Sequence, residues 1–150
     1  MSMIGEFAGA SDEEITRLLA APDGVIRFID GDSQSGEDAP ARRTSVDKAW
    51  HAIHYLLAGE PWSGEFPRSF IVTGGEEIGD VDLGYGPARA FRAEEVLAIH
   101  RMLQSVDGEQ LMQGWDAEEM RSGEIYGVNP EDSAGEQEYV IPHYEELREF

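Results

Sequence analysis

Glu76, Glu77, Asp80 and Asp82 fall within one stretch, VTGGEEIGDVDLGYGPAR at residues 72–89, which also carries five glycines. Closely spaced carboxylates are ligands for hard cations, and glycine-rich loops cradle phosphate, so the stretch invites both chemistries. The phosphate reading fails on residue type. Gly74 and Gly79 have the G-x-x-x-x-G spacing of a P-loop, but Asp80 and Val81 stand where the lysine and the magnesium-holding hydroxyl belong. The four acids would also repel phosphate. The calcium reading starts well at Asp80-Val81-Asp82. However, the sixth and twelfth positions of an EF-hand loop, a glycine and a bidentate glutamate, are Tyr85 and Phe91 here. Carboxylates two apart in a flexible loop could still share a hard ion, but the stretch reads first as an acidic, solvent-facing surface. We assign it no metal and no cofactor.

His51 and His54 form an H-x-x-H pair. Three residues on a helix turn through about 60° net, so the rings could share a ligand. Zinc would need further ligands from His100, His143 or distant acids. A core histidine giving its ring N–H to a carbonyl or carboxylate explains His54 with fewer assumptions. If the 74–89 loop folds over this helix, His54 could act as general base beside Tyr85 and one of Glu76, Glu77 or Asp80. Arg89 would then orient an anionic substrate group. No serine sits in a G-x-S-x-G elbow, and there is no cysteine to act as a nucleophile. Trp50, Trp62 and Trp115 suit packing or partner contact better than a cofactor pocket.

These residues must be positioned by a modest set of elements. Met3–Phe7 reads as a strand. Ser11, with Glu14 three residues on, opens a helix carrying Ile15, Leu18 and Leu19, which stops near Pro22-Asp23-Gly24. Val25–Ile29 reads as extended, and residues 31–41 as a flexible loop. Thr44 or Ser45 is expected to cap a helix bearing Val46, Ala49, Trp50, Ile53, Leu56 and Leu57, ended by Gly59. Ser69–Thr73, SFIVT, reads as a strand. A helix over Ala93–Val106 places Val96, Ile99, His100, Leu103 and Val106 on one side. Shorter helices include Leu111 and Met112, then a segment capped by Asp116. Ile125–Val128 reads as extended. The segment from Gly135 to Phe150 is helical in composition, with Pro142 breaking it or starting a new helix. The whole, residues 1–150, is expected to be a single α+β domain with several helices packed around a small mixed or antiparallel sheet.

Composition narrows the partners. Acidic residues outnumber basic ones 31 to 11, giving a formal net charge of −20. With no basic stripe to neutralise phosphates, nucleic acid and anionic membrane surfaces are disfavoured. A basic protein partner would be attracted. The N-terminus has neither the basic region nor the apolar run of a secretory signal, and no stretch approaches the ~20 apolar residues of a membrane span. The expected location is therefore cytoplasmic.

Four segments together resemble the YfbM-like family, small bacterial proteins built on a domain of unknown function. They are MSMIGEF at the start, DKAWHAIHYLLAGEP, TGGEEIGDVDLGYGPARAF followed by RAEEV, and SGEIYG. The resemblance covers most of the chain and implies an α+β fold with several helices around a small sheet. It brings no activity, cofactor or catalytic residue. It also implies a small-residue turn and a closing apolar strand after the last helix; this sequence stops at Glu149-Phe150, naturally short or truncated, and edge pairing or dimerisation could then differ from that of relatives. Three readings follow. The chain is foremost a non-enzymatic protein-binding module, such as an immunity-type inhibitor of a basic partner. Alternatively it binds or converts a small ligand at His54 and the 74–89 loop. In the third reading, the loop and helix motifs simply specify the fold.

Overall fold

The computed structural model describes residues 2–30, 40 and 42–150. Of the 31–41 loop, residues 31–39 and 41 lie outside the described residues. The architecture is α+β. Strand β1 (Gly5–Ala8) pairs antiparallel with β2 (Arg43–Asp47), with an irregular register between Gly5 and Glu6. Strand β3 (Glu76–Ile78) pairs antiparallel with β4 (Ala88–Ala90), placing Glu77 opposite Arg89. Helices α1 (Asp12–Ala20), α2 (Val25–Asp30), α3 (Trp50–Ala58), α4 (Ala93–Ser105), α5 (Gly108–Met112), α6 (Ala117–Ser122) and α7 (Ser133–Glu149) supply the rest of the frame.

The helix starts follow local chemistry. At α1, the Ser11 hydroxyl accepts from the Glu14 N–H while the Glu14 carboxylate accepts from the Ser11 N–H, so two orphan donors are satisfied together. Ser11→Ala should lower stability by about 1 kcal/mol, read as a fall in the urea midpoint at unchanged m. Asp116 caps α6 by accepting from the N–H groups of Glu118 and Glu119. Helix α3 ends at Gly59, whose φ of 81° is the left-handed conformation that favours glycine.

Five expectations need correction. Val25–Ile29 is helical: a 3₁₀ turn at Pro22–Gly24 leads straight into α2, and Val25 and Phe28 are buried at helical spacing while Ile26 is exposed. Thr44 and Ser45 lie in β2, not at a helix cap. Val46 is fully buried in that strand, and the turn at 47–49 keeps it on the same side as Ala49 and Trp50, which imitates one helical stripe. Ser69–Thr73 is a run of turns, with the N–H groups of Phe70 and Thr73 donating to Pro67 and Ser69 carbonyls. Its β-branched residues suit a strand, but among the described residues no strand pairs with it to complete a ladder. Ile125–Val128 is likewise a turn, closed by the Val128 N–H on the Ile125 carbonyl. Helix α7 runs unbroken through Pro142. The proline frees the carbonyl of Glu138, and both residues are exposed, on the solvent side of the helix.

Two apolar clusters result. The larger gathers Trp50, Ile53 and Leu57 of α3 with Ile99, Leu103, Met120, Val140, Tyr144 and Leu147. The smaller joins Ile15, Leu18, Val25 and Phe28 to Ile78 and Ala90 of the β3–β4 pair. Arg92 and Asp12 link the helix starts: the Arg92 guanidinium donates to the Asp12 carbonyl, and the Asp12 carboxylate accepts from the Ala93 N–H.

Candidate functional site

The acidic stretch is a hairpin whose turn is fixed from within. One oxygen of Asp82 accepts from the N–H groups of Gly84 and Gly86, at 2.8 and 2.9 Å. These bonds hold the Asp82 carboxyl below its usual range. Gly79, with a φ of 71°, lets the turn approach Pro22 so closely that an added Cβ would sit 2.7 Å from the proline. Glu76, Glu77, Asp80 and Asp82 are all exposed. Among the described residues no three histidines or acids gather where they could hold a metal.

Arg89, opposite Glu77 in the ribbon, is engaged by backbone carbonyls. Its guanidinium donates to the carbonyls of Gly74 (2.7 Å), Phe70 (3.1 Å) and Ile71 (2.5 Å), and it lies over the Phe91 ring. Burial lowers its pKa from the usual arginine value, and the Glu77 carboxylate works against that shift. Arg89 therefore closes the carbonyl end of the 66–73 turns, where an anion clamp would need those same donors.

His51 and His54 are both fully buried. The Tyr126 N–H donates to His51 Nδ1 at 2.8 Å, and Nε2 lies 2.8 Å from the Pro61 carbonyl. A backbone N–H can only donate and a carbonyl only accept, so the ring is the neutral tautomer protonated at Nε2. Burial pulls its pKa down, opposed by the Pro61 carbonyl. Neither ring nitrogen of His54 has a hydrogen bond of good geometry. Burial first, then the neighbouring His51, push the His54 pKa down to about 4; nearby backbone of Ser63 and Glu60 opposes this, and the Arg89 charge adds to it. His54 and Arg89 thus feel each other's field without forming a shared site.

The open feature lies elsewhere. A cleft of about 1030 Å³ runs between the two apolar clusters. Nine consecutive residues, Ser2–Ala10, line it, along with Leu83–Phe91, the outer face of α4, Trp62 and the end of α7. His54 is not among its lining residues. Trp62 and Tyr85 are 45% and 56% exposed, with ring centroids 5.0 Å apart, and Tyr85 sits equally close to Trp50. Of the catalytic candidates, only Tyr85 and Arg89 reach this cleft. The sequence pattern placed Val96 on a buried stripe, but Val96 and Leu97 are about half exposed and face the cleft. The adjacent pair, too wide for one helical stripe, was the available signal.

With this geometry in hand, comparison with known proteins places the chain. A domain of unknown function, DUF1877, matches residues 1–150. The chain belongs to the DUF1877 family. Protein YfbM of Escherichia coli (strain K12) is 29% identical over 130 residues, covering 84% of this chain and 74% of YfbM. The crystal structure of YfbM, a protein of unknown function, superposes with a TM-score of 0.69 at 27% identity, covering 98% of this chain and 89% of that one. The YfbM-like resemblance and the α+β class therefore hold for this DUF1877 member. No helix among its described residues is long and apolar enough to cross a membrane.

Proposed function

We propose that this DUF1877 domain is a non-enzymatic protein-binding module that captures a basic partner, as an immunity-type inhibitor would. The observation that carries this reading is the exposed Trp62–Tyr85 pair, in which Tyr85 comes from the turn that also presents Asp80 and Asp82 and Trp62 from the connection after α3. Tryptophan and tyrosine are enriched among residues that dominate interface energetics, and half-exposed rings braced on Trp50 are already ordered before contact. The charge of −20 would steer a cationic partner and make association sensitive to salt. Glu76, Glu77, Asp80 and Asp82 would border the contact. The catalytic alternative draws less support, because His54 is enclosed and the Arg89 donors are held by backbone carbonyls.

The test is capture from the native cell at low salt, identification of the bound protein, and titration of the purified pair. The expected partner is basic, its affinity falls as salt rises, and Trp62→Ala and Tyr85→Ala each weaken binding about tenfold or more. A partner whose affinity ignores both substitutions, or no partner at low salt, would sink the proposal.

A further inference from the structure

We infer that the open edge of β1 accepts an extended segment of the partner as an added antiparallel or parallel strand, its side chains filling the cleft. This rests on the protein-binding reading and specifies how the partner is held. Among the described residues β1 has one strand neighbour, β2, so its other edge presents backbone N–H and C=O groups without a ladder. Consecutive residues of a strand point to opposite faces. A strand lines one cleft with every one of its residues, as Gly5–Ala8 do, when its edge rather than one face is turned inward. The edge carries neither lysine nor proline, the usual guards against strand addition.

The edge is also held ready. The Tyr126 hydroxyl accepts from the Met3 N–H, and the Trp50 indole donates to the Met3 carbonyl. Gly5 lies so close to Trp50 and Val46 that an added Cβ would stand 2.7 and 2.8 Å from their side chains. Beyond the edge, Val96 and Leu97 of α4 leave apolar surface for alternate side chains of an incoming strand. The cleft stands at the upper end of the ~300–1,000 Å³ typical of small-molecule sites, which favours a peptide over a metabolite.

Charge and shape select the occupant. Glu6 is the exposed acid that β1 itself presents to the cleft, and Arg148, also lining it, is paired with Glu145. Arg89 donates to three carbonyls, and Arg42 donates to the Glu149 carbonyl and lies over the Phe150 ring. An apolar segment flanked by lysine or arginine therefore fits this surface and the −20 field around it. A second copy fits poorly: it brings −20 of its own, and its β1 carries β2 along the other edge, so a two-stranded ribbon would have to enter the cleft.

Hydrogen exchange of the β1 amides reads this directly. The probes are acetylated eleven-residue peptides alternating threonine with valine, isoleucine or phenylalanine, with two lysines at each end. Controls carry the same side chains on a backbone N-methylated at alternate residues, or glutamates in place of the lysines. At least one lysine-flanked peptide should bind and slow exchange within Glu6–Ala8 tenfold or more, with binding lost on N-methylation and weakened by the glutamates. The inference falls if no peptide slows those amides, or if N-methylated peptides bind equally well, which would make the cleft a purely apolar site. It falls equally if protection rises with protein concentration alone, which would assign the edge to a second copy. Slowed β1 exchange without any basic protein captured from cells would sustain strand addition and remove the partner reading. Capture that depends on Trp62 and Tyr85 but leaves β1 exchange unchanged would do the reverse.

Discussion

Arg89→Ala should lower the stability of the domain by about 3 kcal/mol, dropping its melting temperature by roughly 6–12 °C. The substitution removes the donors that hold the carbonyls of Phe70, Ile71 and Gly74. The first two bonds are partly buried, so water replaces them imperfectly, whereas the Gly74 carbonyl is reached by solvent. The loss should also loosen the 66–73 turns against β4. Arg89→Lys keeps the charge but offers a point donor in place of the planar fork, and should recover less than half of the loss. Arg89→Met keeps much of the stem and should behave like alanine. Urea unfolding of the three variants checks the assignment. A change within about 0.5 kcal/mol for alanine would mean that the carbonyl closure contributes nothing to the fold.

Acid should weaken the domain between pH 6.5 and pH 4 through its buried histidines. His54 has a folded pKa near 4 against an ordinary value of 6.5, so in this window the unfolded chain binds a proton that the folded one excludes. Its contribution is fully present above pH 6.5, falls as pH drops, and levels off below about 4. His51, whose pKa is also lowered, acts in the same direction. The full His54 shift corresponds to about 3 kcal/mol, and after allowance for solvent screening we expect on the order of 2 kcal/mol. Carboxylates begin to protonate at the lower end of this window, which relieves self-repulsion in so acidic a chain, so the difference between variants is the clean measurement. His54→Leu should remove up to one proton's worth of slope, about 1.4 kcal/mol per pH unit, while changing stability at pH 7 little, since neither ring nitrogen makes a hydrogen bond of good geometry. His51→Leu abandons two backbone partners and should destabilise at pH 7 by about 2 kcal/mol. A His54 ring that titrates near 6.5 by NMR would refute this account.

Where the fold obeyed local rules, the sequence was sufficient. The Ser11–Glu14 box, the Gly59 terminus and the Asp116 cap each satisfy groups within a few residues of themselves, so adjacent letters reveal them. The reading failed where distant contacts outweighed local preference. SFIVT has strand composition, yet carbonyls of that segment are taken by a guanidinium 18 and 19 residues away. Val46 joined a helical pattern only because a turn returned the chain to the same buried face. Pro142 lies where it and Glu138 are exposed, and the helix continues through it. At the site, the acidic stretch was read as a solvent-facing surface, and Glu76, Glu77, Asp80 and Asp82 are all exposed. The partners of His51 could not be read, because a histidine pattern does not tell which backbone groups 10 and 75 residues away will meet the ring. The cleft was invisible for a related reason: a strand's sequence does not state how many neighbours it has.

The His51 ring has a consequence for how the chain is wired together. With a donor at one end and an acceptor at the other, 2.8 Å from a carbonyl and from an N–H respectively, the neutral imidazole reproduces the polarity of a peptide group. It serves as one rung of a ladder between two loops that never lie side by side as strands. The polarity of that rung is set by the main-chain groups it joins, so moving the proton from Nε2 to Nδ1 would bring donor against donor and acceptor against acceptor. The segments at Pro61 and Tyr126 are thereby held at a fixed spacing by a rigid, uncharged spacer, and the Trp62 ring, tilted against it with centroids 4.2 Å apart, inherits that spacing.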